Sequence, residues 1–385
     1  MTGRDAVIAG CVRTPIGRKR GRLSQLHAAD VSAVVLRALA ECTGLDPALI
    51  DDVIWGCVET VGEQSLNIGR TAVLAAGWPE SVPATTVDRQ CGSSQQSVHF
   101  AAAGVLSGQY EFAVAGGVEM MSRVPLGAAT GTGFGTPRPA SVTSRYRVDR
   151  FSQGIGAELM AQKWGLSRER LDEYGWQSHE RAAAAIDSGR FDTEIVPVQL
   201  PDGSVLARDE GVRRDSSLAR MAGLPPAFTE SGVVTAATSS QISDGAAALL
   251  ITTSANAAGH GLPVLARIHT AVVAGDDPVM MLSAPIPATR KALARAGLSI
   301  SDVGTAEVNE AFAPVPLAWL AETGADPSAV NPDGGAIALG HPLGASGARL
   351  MTTLVHRMRR DGTRYGLQTM CEGGGLANAT ILELV

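Results

Sequence analysis

Apolar runs of strand length alternate with alanine-rich stretches of helical periodicity along most of the chain. AVIAGCV precedes the helical VSAVVLRALAEC, DDVIWGCVE precedes TAVLAAG, and FAVAGGVE closes a first series. The same style resumes at PVLARIHTAVVAG and runs on through PATRKALARAG, GTAEVNEAF, ARLMTTLVHRMRRDG and GLQTMCEGGG. This order predicts an α/β architecture. It also predicts two similar halves, placed at residues 1–264 and 265–385. In each half a polar or glycine-rich turn enters a long helix and a later strand ends in glycines: CGSSQQ to AVAGG first, HPLGASG to CEGGG second. Equivalent halves put Cys91 and His341 at corresponding helix starts, able to meet between the halves, where pockets commonly form. Between residues 119 and 243 the pattern gives way to a long excursion. It holds the Gly/Thr/Pro stretch LGAATGTGFGTPRPAS, two helical segments and the charged RDEGVRRD. Insertions of this length usually serve binding or assembly.

Composition narrows the picture. With 385 residues, 45% of them hydrophobic and 18% charged, the chain has material for two core-bearing units and none of the signature of disorder. A net charge of -6 argues against a general nucleic-acid surface. No stretch approaches the ~18 apolar residues of a membrane span, and the first residues lack a signal-peptide core, so a cytoplasmic protein is expected. Five cysteines without a CxxC pair make neither a disulfide framework nor a zinc site, and the seven histidines are scattered, so no metal is expected.

The chemistry gathers at three residues beside glycines: Cys91 in VDRQCGSSQQS, His341 in GGAIALGHPLGASGAR and Cys371 in MCEGGGLAN. A cysteine is a good acyl acceptor, and an imidazole suits it as activator. Carbon–carbon chemistry beside a thioester needs a further group that moves a proton on carbon, and Cys371 is the candidate. Cys11, Cys42 and Cys57 lie in apolar strand or helix patterns and read as small buried hydrophobes. Cys91 opens a small-polar run leading into VHFAAAGVLSG, as expected at a helix N-terminus, where free N–H groups and the helix dipole favour a thiolate.

CGSS at Cys91, NEAFA at Asn309, GHPLGASGAR at His341 and CEGGG at Cys371 resemble four signature blocks of the thiolases, in the family's order. TSSQISDGAAALL resembles a fifth, and the similarity runs from VIAGCVRTPIGR to NATILELV. The resemblance implies the thiolase fold, two pseudo-equivalent βαβαβαββ halves in a five-layered αβαβα sandwich with an inserted loop domain. It implies coenzyme A as co-substrate, no permanently bound cofactor, acyl-CoA as partner, and a homodimer or homotetramer. It also implies roles. Cys91 matches the acylated nucleophile, His341 its activator, Asn309 the water-holding asparagine of one oxyanion hole, and Cys371 the acid/base cysteine. The N–H groups of Cys91 and Gly373 match the second oxyanion hole. Arg213 matches a residue near the adenine, Leu224 and Phe228 residues along the nucleotide and pantetheine, and Ser240 a contact of the pantetheine amide. Met281 and Phe312 match the lining of the acyl end, and Glu310 a residue supporting the site from behind.

The chain departs from the family at several places. Asp88 stands where an asparagine is common and Ser94-Gln95-Gln96 replaces an apolar pair, so the nucleophile region is unusually polar. A close unpaired carboxylate would raise the thiol, so Arg89 or another cation is expected to neutralise Asp88. Ser152-Gln153 replaces the histidine-methionine pair of short-chain enzymes, which speaks against acetoacetyl-CoA. The expected activity is degradative cleavage of a 3-ketoacyl-CoA by CoA, on fatty or steroid-derived acyl groups. The alternatives are a biosynthetic acetyl-CoA acetyltransferase and, from another class, a non-catalytic thiolase-like lipid carrier.

Overall fold

The computed structural model describes residues 3–131, 133 and 135–385. Thr132 and Phe134 of the Gly/Thr/Pro stretch lie outside the described residues, as do Met1 and Thr2. The first series of elements is β1 (Val7–Arg13), β2 (Gly17–Arg18), α1 (Ala28–Thr43), β3 (Asp52–Gly56), α2 (Ile68–Ala75), β4 (Ala84–Val87), α3 (Ser93–Ser107) and β5 (Phe112–Met120). The excursion carries α4 (Ala140–Tyr146), α5 (Gln153–Lys163), α6 (Arg168–Asp187), a β6–β7 ribbon (Val198–Gln199 and Val205–Leu206) and α7 (Leu218–Ala222). The chain then re-enters the layers with β8 (Ser243–Thr252) and α8 (Ser254–Gly259). The second series is β9 (Ala266–Gly275), α9 (Pro285–Ala296), β10 (Thr305–Val308), α10 (Pro314–Thr323), α11 (Ala336–Leu339), α12 (Leu343–Asp361), β11 (Tyr365–Glu372) and β12 (Leu376–Glu383).

Five layers result. Strands β1, β8, β5, β3 and β4 lie side by side, as do β9, β12, β11 and β10. The two groups join where β1 pairs with β9 at Val7↔Arg267 and Ile8↔Ala266, so the ladder runs unbroken across both series. Helices α1 and α2 cover the outer face of the first group, and α9 covers the second, with α10 packed beside α9. Helices α3 and α12 fill the middle and touch each other, α12 reaching strands of both groups. Strands β5 and β8, buried along their whole length, read as continuous apolar runs because both faces are covered.

The central helices explain why their sequences lack a clean amphipathic stripe. Buried between two sheets, α3 presents Ser94, Gln95 and Gln96 to protein rather than water. The two helices approach so closely that a side chain at Gly347 would collide with the backbone of Gln95, while Ala348 N–H donates to Ser94 Oγ at 2.9 Å. The excursion settles over the second series, α5 against α10 and α6 against α11. That docking brings the insert beside the strand ends carrying Asn309 and Cys371.

Candidate functional site

Cys91 sits in the turn between β4 and α3, just before the N-cap Gly92. Gln90 takes a left-handed conformation (φ 49°), and the turn closes through Ser93, whose Oγ donates to Gln90 O (2.6 Å) and accepts from Arg89 N–H (2.9 Å). Burial and then the nearby Glu372 push the Cys91 thiol up to about 12, although its own N–H and that of Gly373 pull it down. The expected thiolate is therefore corrected: desolvation between two sheets outweighs the helix start, and the resting group is a thiol. The expected cation at Asp88 is corrected too. Asp88 is exposed, accepts from Gln90 N–H (2.6 Å) and its side-chain amide (3.3 Å), and makes no ion pair with Arg89, so solvent rather than a cation meets its charge, while partial desolvation raises its carboxyl.

Gly373 reaches the same place from the β11–β12 turn, where Gly374 (φ 85°) and Gly375 (φ 78°) need left-handed backbone. A Cβ on Gly373 would stand 2.8 Å from Gln90 Oε1, so this turn abuts the Cys91 turn directly. Cys371, at the end of β11, is fully buried; its thiol is raised by burial and by proximity to Cys91. Leu343 of α12 and Met370 of β11 share a buried cluster with Cys91, which ties in the segment bearing His341.

His341 lies immediately before α12, its N–H donating to Gln241 O (3.2 Å) and Ser243 Oγ (3.2 Å). Its Nδ1 meets Ser346 Oγ at 2.6 Å and its Nε2 faces Asn309 Nδ2 at 3.4 Å. Ser346 Oγ–H already donates to Pro342 O (2.8 Å), so Oγ accepts from Nδ1–H and the lone pair falls on Nε2, towards the site. Burial and the Arg349 guanidinium push the imidazole down to about 3, which keeps it a neutral base. Asn309, held by N–H to Thr369 O (3.0 Å), has a buried Oδ1 without a protein partner. Behind it Glu310 is saturated: it accepts from Tyr174 Oη–H (3.0 Å), Ser178 Oγ–H (2.6 Å), Asn331 Nδ2 (3.1 Å) and Ile337 N–H (3.2 Å).

Sequence reading missed Glu372. Its side chain is completely buried, neither carboxylate oxygen has a partner, and a side chain at Gly92 would run into it. Burial lifts this carboxyl to about 8 against the pull of Arg89. The signal was present, an acid directly after the second cysteine, but a strand end gives no reason to expect it buried.

The remaining candidates line one cleft in two parts. A cavity of about 780 Å³ is lined by Arg213, Phe228 and Ser240, and an adjoining one of about 200 Å³ by Arg213 and Leu224. His179, one of the scattered histidines, lines the smaller part and accepts Arg213 N–H (3.1 Å). Arg18 and Lys19 line the larger part, and they too were missed; the basic run GRKRGR lies far from Arg213 in sequence. Ser240 N–H donates to Ala311 O (2.9 Å), joining the cleft to the Asn309 segment. Phe228 meets Phe312 edge-on at 5.6 Å between centroids, and Phe312 shares a buried cluster with Met281 and Cys371. Met281 holds φ 59°, a conformation rare for a non-glycine residue and a frequent companion of ligand sites. The cleft residues thus border the segments that carry Asn309, Phe312 and Cys371. No helix among the described residues is long and apolar enough to cross a membrane, and no group of three or more His, Cys, Asp or Glu among them could hold a metal.

Comparison with known proteins agrees with this geometry. The family model for the thiolase N-terminal domain matches residues 6–255 and that for the thiolase C-terminal domain residues 262–384. Steroid 3-ketoacyl-CoA thiolase FadA6 of Mycobacterium tuberculosis is 51% identical, covering 98% of this chain and 94% of its own. A 3-ketoacyl-CoA thiolase of Pseudoalteromonas translucida is 44% identical over 99% of each chain. The crystal structure of the Bacillus anthracis acetyl-CoA acetyltransferase superposes with a TM-score of 0.92 at 35% identity, covering 100% of this chain and 99% of that one.

Proposed function

Because the chain belongs to the thiolase family, we propose that this acyltransferase cleaves 3-ketoacyl-CoA esters with CoA, yielding acetyl-CoA or propionyl-CoA and a shortened acyl-CoA, in fatty-acid or steroid degradation. One observation carries the assignment of residues: the Cys91 sulfur lies within reach of the Gly373 N–H and next to Cys371, with a neutral imidazole whose lone pair faces the site.

In the proposed sequence His341 Nε2 takes the Cys91 proton as the substrate arrives, and the thiolate attacks the 3-keto carbon. The N–H groups of Cys91 and Gly373 receive the developing oxyanion. The C2–C3 bond then breaks, its electron pair passing into the enolate of the departing acyl-CoA. Cys371 protonates that enolate at carbon, aided by Asn309 and His341 at the thioester oxygen. The shortened acyl group stays on Cys91 as a thioester. Incoming CoA gives its thiol proton to the Cys371 thiolate, attacks the thioester and expels the Cys91 sulfur, which takes back the proton held on His341 Nε2.

CoA would lie in the two-part cleft, with Arg213 near the adenine, Arg18 and Lys19 facing its phosphates, Leu224 and Phe228 along nucleotide and pantetheine, and Ser240 on the amide. Met281 and Phe312 would line the acyl end. We further propose a cytoplasmic homodimer or homotetramer whose chain has two halves, 1–264 and 265–385; the separate family models support two halves and part between residues 255 and 262.

The test is CoA-dependent loss of the enolate absorbance of a 3-ketoacyl-CoA, with mass spectrometry of protein quenched before CoA is added. Turnover with the acyl mass on the Cys91 peptide is expected. Absence of turnover, or acylation elsewhere, would overturn the reading.

A further inference from the structure

We propose that the acyl path ends in a second, cationic pocket that selects acyl groups terminating in a carboxylate; this rests on the acyl-transfer reading above. The pocket is a cavity of about 360 Å³ lined by Arg147 and Arg150 together with the apolar Val148, Phe151, Ile155 and Val279. Asp149 and the N-cap Ser152 of α5 complete it.

Its position follows from the first turn of α5. Gly154 packs against the ring of Phe228, which edges Phe312, and Gly156 packs against the Met280 carbonyl and Met281. Phe151 and Met280 lean on the same buried cluster that holds Met281, Phe312 and Cys371. The wall of the acyl end is therefore also the wall of this cavity. An acyl chain leaving Met281 and Phe312 outward meets apolar surface first and guanidinium groups after it.

Charge gives the ligand's chemistry. Within residues 138–151 four arginines, Arg138, Arg145, Arg147 and Arg150, face a single acid, Asp149, in a chain whose net charge is -6. Arg138 stacks on Phe151 (5.4 Å) and Arg145 on Tyr146 (5.3 Å), whose ring meets Phe151 edge-on, so both are gathered to the cavity wall. None of the four has a carboxylate within 4.0 Å among the described residues. Elsewhere in the excursion most arginines pair, Arg168, Arg170, Arg214 and Arg220 with Asp172, Glu173, Asp187 and Asp215, while Arg181 donates to the Val330 carbonyl and Arg208 stands alone rather than in a group. Arg213, in the nucleotide cleft, makes no ion pair among the described residues either, and there an anionic ligand is expected. The second gathering of unpaired arginines carries the same signature. Arg147 moreover holds a left-handed backbone (φ 54°) at the end of α4, which turns it to the cavity. An apolar floor with a guanidinium rim fits an acyl chain with a terminal carboxylate, which guanidinium binds in bidentate fashion.

The experiment compares kcat/KM of the full chain on two 3-ketoacyl-CoA esters of equal chain length, one ending in methyl and one in carboxylate. A preference of about tenfold or more for the carboxylate is expected at low salt, the size of one charge-assisted hydrogen bond, shrinking as salt screens the exposed arginines. The Arg147→Gln/Arg150→Gln variant should lose that preference while cleaving the methyl-ended ester as the parent does. Equal rates on both esters, or equal losses on both in the variant, would overturn the proposal and leave the acyl-transfer reading standing. A variant that changes the oligomeric state instead would assign these arginines to a subunit contact and overturn it as well. Turnover of neither ester would remove the acyl-transfer reading and this proposal with it.

Discussion

Replacing Ser346 by alanine tests the base assignment without touching a group that meets substrate. Ser346 Oγ is the acceptor that holds the proton on His341 Nδ1, at 2.6 Å, and it lies on α12 with no exposure. Without it, Nδ1–H would be left buried and unpaired, a cost of about 1–3 kcal/mol. The imidazole has an escape. Asn309 Oδ1 is buried and unpartnered, so rotation of that amide would let it accept a proton relocated to Nε2. The ring would then present N–H rather than a lone pair to Cys91, and returning to the competent tautomer would cost the same free energy. That corresponds to a loss in kcat/KM of about 5- to 150-fold, expressed mainly in kcat because CoA contacts are untouched. Steady-state thiolysis measures the rate, and 15N shifts of labelled histidine report which ring nitrogen carries the proton. The expected result is Nδ1–H in the parent and Nε2–H in Ser346→Ala. Unchanged kcat, or a parent imidazole protonated at Nε2, would refute the tautomer argument and with it the base role of Nε2.

Three further outcomes are expected. Cys371→Ser should slow cleavage of a 3-ketoacyl-CoA far more than acylation of Cys91 by a simple acyl-CoA; equal losses in single-turnover assays would contradict a proton role on carbon. A brief iodoacetamide pulse at neutral pH should mark Cys42 first, because it is the one exposed thiol among the five, whereas Cys91 is held up to about 12 by burial and Glu372; peptide mapping that finds Cys91 first would show that His341 ionises it at rest. Glu372→Gln should flatten the pH dependence of Tm. The carboxyl is raised from 4.5 to about 8, so the folded protein keeps a proton that the unfolded chain releases, and this group's contribution erodes stability as pH climbs from 4.5 to about 8. Parallel Tm profiles for parent and variant would place the charged form of Glu372 in a solvated or paired setting.

Much of the architecture was legible because it rests on periodicity. Strand runs such as FAVAGGVE and helical runs such as VSAVVLRALAEC fall on β5 and α1, and the turn residues before Ser93 and Leu343 mark the starts of the two central helices. Three of the candidate residues, Cys91, His341 and Cys371, were legible for a different reason: each sits in a glycine-rich block suited to close backbone approach, as at Gly92 beside Glu372 and Gly347 beside Gln95, whereas Asn309 was legible only through the resemblance of NEAFA. What was not legible depends on the third dimension. The Cys91 site was read from its helix start, a local feature favouring a thiolate, whereas the desolvation that wins comes from α12 and β11, more than 250 positions away in the chain. Arg18 and Lys19 meet Arg213 across 190 residues or more, so their basic run carried no indication of a shared cleft.

Three buried glutamates near the centre separate scaffold from chemistry by their hydrogen bonds alone. Glu119 accepts from Val58 N–H (2.9 Å), Glu59 N–H (3.1 Å), Gly344 N–H (2.8 Å) and Gln64 Nε2 (2.8 Å), stapling the start of α12, and hence the segment of His341, to the first series of strands. Glu310 does the same for the second series, using four donors to fix the loop after Asn309 against α6 and the Ile337 backbone. A carboxylate taken out of water at a cost of several kcal/mol is recompensed when four donors replace its hydration, so each is explained by structure. Glu372 has the same burial and no donor within hydrogen-bond geometry. Only the Asn378 N–H and the Arg89 charge favour its ionised form from farther off, and they do not overcome its burial. The carboxyl instead lies against the turn that carries the nucleophile, where its protonation state sets the local field on Cys91. A protonated Glu372 leaves the Arg89 charge unopposed and favours the thiolate; an ionised one cancels it and favours the thiol. Glu372→Gln, which mimics the protonated form at every pH, should therefore alkylate faster at Cys91 above pH 8 than the parent does, and equal rates there would leave the buried acid without a function in this site.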